Sequence, residues 1–136
     1  MKPVPVVETF GPTVQGEGPL AGVPTFFIRL GLCDYRCSWC DSMYAVDPVA
    51  VKEHAELLSA GEAVERVMAL EPGPQWVTLS GGNPAMHDLT ELVAGLHDRR
   101  LLVAVETQGS VWRDWLLNVQ MLVVSPKPPS SGMVTD

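Results

Sequence analysis

Outside one stretch of eight positions, this chain of 136 residues contains no cysteine. Cys33, Cys37 and Cys40 all fall within "GLCDYRCSWCDSMY", residues 31–44. An odd number of thiols argues against a disulfide framework, and a chain of this length buries enough core to do without one. Clustered free thiols suit a reducing compartment. Basic residues are also scarce: nine Lys and Arg face sixteen Asp and Glu, a formal net charge of −7. The best basic group, Arg99–Arg100, reads as the solvated end of a helix. The chain therefore lacks the basic face of a nucleic-acid binder, and small molecules are the expected partners. Long apolar runs are missing too. No stretch approaches the roughly 18 apolar residues of a membrane-spanning helix. Residues 1–10, "MKPVPVVETF", carry one basic residue and two prolines in place of the apolar centre of a signal peptide. These absences predict a cytoplasmic protein with no membrane or nucleic-acid partner.

What is present is ordinary globular composition, 46% hydrophobic and 18% charged, in one domain's length spanning 1–136. Residues 25–32, "TFFIRLGL", read as a buried strand with Arg29 the one charge in it. Residues 45–60 carry mixed signals. Residues 62–70 place Val64, Val67 and Met68 on one helical face, and "PGP" at 72–74 stops that helix. Residues 76–80, "WVTLS", predict a second strand. Leu89, Leu92, Val93 and Leu96 follow helical spacing over 88–98, with Asp88 and Glu91 as a candidate capping box. "LLVAVE" (101–106) and "MLVVS" (121–125) predict further strands, with a short helix over 111–118 between them. Strands alternating with helices imply a parallel α/β sheet. The polar residues then gather at the C-terminal ends of the strands: the cysteines, Ser80–Gly82, Glu106–Thr107, and Ser125 with Lys127. That edge is where ligands bind in such sheets.

The thiols are spaced C-x3-C-x2-C. Structural zinc wants four protein ligands. The fourth would be His54, His87, His97, Asp34 or Asp41, none at typical finger spacing. Three inert core cysteines would have no reason to keep this spacing in a polar loop. A [4Fe–4S] cluster ligated by three cysteines keeps one iron open for a substrate or cofactor. His87 reads as a surface residue at a helix start, the methionines as dispersed core fillers, and Trp112 and Trp115 as packing under the short helix or at an interface.

The cysteine spacing resembles that of the radical S-adenosylmethionine enzymes, and "SGGNP" (80–84) is similar to their Gly-Gly-Glu-Pro motif, with Asn83 in the Glu position. "TVQGEGPLAG", "WCDS", "VTLSGGNP", "VETQGS" and "VSPKPPSSG" together resemble the 7-carboxy-7-deazaguanine synthases from residue 8 to the end. The resemblance implies a partial (β/α) barrel of parallel strands. Family members continue past the segment in which this chain stops, so it implies a truncated barrel, from a fragment or a shortened gene, whose fourth-strand edge a homodimer could cover. The implied reaction is a radical ring contraction of 6-carboxy-5,6,7,8-tetrahydropterin to 7-carboxy-7-deazaguanine with loss of ammonia. The implied cofactors are a [4Fe–4S] cluster, S-adenosylmethionine and Mg²⁺, with a flavodoxin-like protein as reductant. Another small radical enzyme, such as a glycyl-radical activating enzyme, and a zinc-binding module stay open as alternatives.

The resemblance also assigns roles. Cys33, Cys37 and Cys40 would ligate the cluster and Ser42 the Mg²⁺. Trp39, Cys40, Asp41, Gly82, Glu106, Ser125, Pro126 and Lys127 would face S-adenosylmethionine. Val14, Gln15, Gly16, Glu17 and Ser80 would face the substrate. Arg29, a costly charge in an apolar strand, would grip the substrate carboxylate; a structural pair with Glu17 or Glu106 is the alternative.

Overall fold

A computed structural model describes residues 3–16, 18–31 and 55–126. Six strands form one sheet in the order β3-β1-β2-β4-β5-β6. They are β1 (Val4–Val14), β2 (Pro24–Leu30), β3 (Glu56–Leu58), β4 (Trp76–Gly81), β5 (Leu102–Thr107) and β6 (Met121–Val124). The expected parallel α/β sheet is present in β2, β4, β5 and β6, which pair in parallel. Two further strands, β1 and β3, extend it with antiparallel pairing. Sequence periodicity hides β1 because prolines at 3, 5 and 12 punctuate it. The ladder absorbs that interruption with a register shift between Phe10 and Thr13, at Gly11–Pro12; such shifts are where a strand tolerates proline.

Side chains alternate between the two faces of a strand. One face holds the core: Val4, Val6, Phe26, Ile28, Leu30, Val77, Leu79, Val103 and Val105 are all buried in a single apolar cluster. Two helices contribute to that cluster, α1 (Ala60–Met68) through Ala63, Val64 and Val67, and α2 (Thr90–Asp98) through Leu92, Val93 and Leu96. They approach closely at Gly95, where an added Cβ would come within 2.9 Å of Val64 Cγ2.

Several local expectations need correction. α1 begins two residues earlier than its apolar spacing suggests, because Ser59 and Glu62 form a reciprocal capping box. Met68, expected on its buried face, is exposed; Ala63 takes the place. The capping box expected from Asp88 and Glu91 is absent, since Leu89 occupies the cap position with no side-chain bond. Asp88 Oδ1 instead accepts from both the N–H and the hydroxyl of Thr90, which holds its carboxyl below the usual range. The helix expected over 111–118 is a 3₁₀ turn, Asp114–Asn118.

The strand ends matter most for function. Leu30 pairs with Gly81 and Thr107 with Val124, so β2, β4, β5 and β6 finish along one edge. At that edge Gly81 has φ +150°, and a Cβ on it would lie 2.1 Å from the Leu30 carbonyl oxygen. The glycine is thus required by the backbone of the neighbouring strand. Gly81→Ala is expected to cost about 3 kcal/mol or more, from combined strain and overlap. Gly61→Ala, in an open position of α1, should instead gain roughly 0.5 kcal/mol. Denaturant unfolding of the two variants beside the wild type checks both signs.

Candidate active site

The sheet face opposite the helices is polar along one row. Glu8 pairs with Arg29, and Arg29 with Ser80. One step beyond the Leu79–Val105 pair, Ser80 lies level with Glu106, which pairs with Val123. The next row down is Phe10, Phe27, Thr78, Ala104 and Met121. Phe10 and Phe27 stack with ring centroids 5.1 Å apart and planes within 7°. Below them Thr25 and Thr78 share a buried hydroxyl pair at 2.9 Å.

The segment after β1 folds back over this face. Its base is closed by Gln15 N–H donating to the Val23 carbonyl and Gly22 N–H to that of Gln15. Gln15, 6% exposed, donates from Nε2 to Glu106 Oε1 at 2.8 Å across 91 residues of sequence. Gly18 reaches β6, since a Cβ there would sit 3.4 Å from Val123 Cγ1. Gln15 and Glu106, assigned by resemblance to substrate and cofactor respectively, are therefore in direct contact. Val14, the last residue of β1, and Gly16 are exposed.

Arg29 is less buried than its apolar strand suggests. Its side chain keeps 21% of its exposure and its Nε lies 3.4 Å from Glu8 Oε2. Sequence reasoning named Glu17 and Glu106 as structural partners and missed Glu8, which becomes a neighbour only through β1 pairing. Ser80 is buried and level with Arg29. A guanidinium and a hydroxyl at adjacent register positions can grip an anionic, hydrogen-bonding ligand laid on the sheet.

The turn after β4 is built from within. Asn83 is fully buried, and its Oδ1 accepts from Ala85 N–H at 3.1 Å and from the Thr107 hydroxyl at 2.7 Å. Asparagine in the motif's Glu position thus ties the β4 exit to the β5 exit. Thr107 in turn binds Ser125, whose N–H donates to the Thr107 carbonyl at 2.8 Å. Pro126 follows and is exposed. Gly82 is half-buried at the same edge.

His87 departs most from expectation. It is half-buried, and its Nε2 lies 2.8 Å from the Gly31 carbonyl oxygen. A carbonyl only accepts, so Nε2 carries the proton. Burial pushes the imidazole pKa down, with the nearby Arg113 adding to the shift and the Gly31 bond opposing it. Trp115, expected to pack under the short helix, is buried there and donates its indole N–H to the His87 carbonyl. Trp112 is exposed.

Glu17, Cys33, Cys37, Trp39, Cys40, Asp41, Ser42 and Lys127 lie outside the described residues, as does the zinc alternative's His54. Among the described residues, no group of three His, Cys, Asp or Glu side chains could hold a metal ion, and no helix is long and apolar enough to cross a membrane. The donor set nevertheless fits an iron–sulfur cluster: three soft thiols at C-x3-C-x2-C spacing, in the segment that leaves β2 at Gly31. Gly81 and Gly82 lie at the edge beside that exit, Gly81 paired with Leu30.

No protein-family model matches the chain. It is 44% identical over 139 aligned positions to the 7-carboxy-7-deazaguanine synthase of Bacillus cereus, covering 100% of this chain and 58% of that protein. To the enzyme of the same name from Bacillus subtilis it is 43% identical, covering 99% of this chain and 56% of that one. A crystal structure of QueE from Escherichia coli superposes with a TM-score of 0.80 at 28% identity, over 92% of this chain and 60% of the other. These proteins are homologues, and the fold is a part of theirs. The chain spans little more than half the length of the curated relatives it matches.

Two outcomes follow for this site. Asn83→Ala strands the Ala85 N–H and the Thr107 hydroxyl, and is expected to cost about 2–3 kcal/mol, read by denaturant unfolding. His87 has a folded pKa below its ordinary 6.5. Its contribution to stability is complete above that value and is lost as pH falls through the window beneath it. The wild type should lose more Tm than His87→Gln between about pH 7.5 and pH 5, measured by thermal unfolding in matched buffers.

Proposed function

We propose that this chain, homologous along its whole length to the 7-carboxy-7-deazaguanine synthases, carries the cluster-binding and substrate-reading part of such an enzyme. The reaction is the ring contraction of 6-carboxy-5,6,7,8-tetrahydropterin to 7-carboxy-7-deazaguanine with release of ammonia, a carbon–nitrogen lyase activity in 7-deazapurine biosynthesis. The observation that carries this reading is the row Glu8, Arg29, Ser80 and Glu106 on the sheet face opposite the helices, with Gln15 folded over it.

Each residue has a task suited to its chemistry. Arg29 receives the substrate carboxylate, exchanging or sharing its partly exposed Glu8 partner. Ser80, next to it, offers a hydroxyl to the same ring system. Gln15 holds Glu106 as an acceptor through its side chain, and the backbone of Val14 and Gly16, the second lone pair of the Gln15 carbonyl, and Glu17 read the donors and acceptors of the pterin edge. The segment over the face limits water at the reacting ring. Cys33, Cys37 and Cys40 would hold a [4Fe–4S] cluster. Trp39, Cys40, Asp41, Gly82, Glu106, Ser125, Pro126 and Lys127 would line S-adenosylmethionine, and Ser42 would offer Mg²⁺ a hydroxyl oxygen. Bound together, these groups supply hydrogen abstraction and charge neutralisation; the protein supplies ligation and orientation. A flavodoxin-like reductant, a homodimer and a cytoplasmic setting complete the proposal.

The test is turnover by the anaerobically reconstituted chain with pterin substrate, S-adenosylmethionine, Mg²⁺ and a strong reductant, followed by mass spectrometry. 7-Carboxy-7-deazaguanine is expected. No product from a chain with a spectroscopically intact cluster would overturn the assignment of turnover to this chain. With product in hand, Arg29→Met should raise KM about 10- to 100-fold, as loss of a charged hydrogen bond to the carboxylate requires.

A further inference from the structure

The segment from Asn83 to His87 is held more firmly than a surface turn needs. Arg113 donates from Nε to the Ala85 carbonyl at 2.8 Å and from Nη2 to the Met86 carbonyl at 3.1 Å. Trp115 Nε1 donates to the His87 carbonyl at 2.9 Å. Asn83 accepts from Ala85 N–H inside the turn and from Thr107 on β5. Two separate elements, the 3₁₀ turn with its cap Arg113 and strand β5, therefore fix one short stretch of backbone. The side chain at its end, His87, reaches the Gly31 carbonyl.

Gly31 is the residue at which β2 passes into the cysteine segment; Cys33 is two positions on. Both of its backbone groups are engaged, the N–H with the Pro5 carbonyl at 2.8 Å and the carbonyl with His87 at 2.8 Å. Its predecessor Leu30 is pressed against Gly81, where no side chain fits. The β2 exit is thus gripped by β1, by β4 and by the turn after β4.

We propose that His87 is a positioning residue for the cysteine segment. It transfers the rigidity of the Arg113–Trp115 clamp to the Gly31 carbonyl and so sets the point from which the three thiols depart. Its relevance to a metal cluster rests on the function proposed above; the anchoring itself does not. A donor at this position is what matters. Glutamine places an amide N–H at comparable reach, whereas leucine of similar bulk has no donor.

The test uses the full chain as wild type, His87→Leu and His87→Gln, at a temperature where circular dichroism shows all three folded. After anaerobic reconstitution, iron release to a ferrous chelator is followed, together with the electron paramagnetic resonance spectrum of the reduced cluster. His87→Leu should release iron about fivefold faster, the factor of one ordinary hydrogen bond, with shifted g-values. His87→Gln should stay within about twofold of wild type. Equal rates in all three proteins, or equal impairment of both variants, would overturn the proposal. If the wild type forms no cluster, the functional reading fails separately. Iodoacetamide modification of the unloaded chain then decides the anchoring, because every thiol in the protein lies in this segment. Faster alkylation in His87→Leu with rescue in His87→Gln supports it, and identical rates refute it. Should His87→Leu not fold, Trp115→Phe removes one bond of the clamp, keeps the aromatic bulk, and must speed alkylation in the same direction.

Discussion

The parallel pairing of β2 with β4, carried to its last residues, is the constraint on which the site depends. Leu30 and Gly81 meet backbone to backbone, and the left-handed conformation of Gly81 lets them do so. Any side chain at 81 would push the strands apart at the point where β2 leads into the cysteine segment and β4 into the glycine turn. Through that contact the origin of the cysteine segment, the glycine turn and the end of β5 come to share one edge. The polar row across the open face follows from the same register, since a slip of one residue would send Arg29 and Ser80 to the helix side.

The two faces of the sheet differ in chemistry. One is dry and covered by α1 and α2, and its valines and leucines supply the burial that holds the domain together. The other keeps polar groups that would be costly in a core, and meets that cost with partners: Thr25 with Thr78, Gln15 with Glu106, Arg29 with Glu8. Under the proposed function, a ligand on this face would meet side chains already held in place, which reduces the ordering cost of binding.

Much of the chain was legible beforehand. Apolar runs located β2, β4, β5 and β6, helical spacing located α1 and α2, and strand–helix alternation predicted their parallel order. β1 was not legible because proline and the Gly11–Pro12 interruption erase its alternation, and its stability comes from pairing with β2. Ser59 and Glu62 did carry a capping signal for α1, but the mixed residues before them obscured it. Asp88 and Glu91 carried the same signal without effect, because Thr90 captures the Asp88 carboxylate locally. His87 offered no signal at all; a histidine after a turn looks the same whether it points to water or to a carbonyl 56 residues away.

The residues alone determined what chemistry is available: three thiols at C-x3-C-x2-C spacing, one arginine in an apolar strand, and the run of motifs shared with the deazaguanine synthases. Those are local properties, set by residue type and short-range spacing. Only the tertiary structure decided which groups meet. That Glu8 neighbours Arg29, that Gln15 holds Glu106, and that His87 secures Gly31 all depend on strand order and register. These arise from long-range pairing and burial, which no local stretch of sequence encodes.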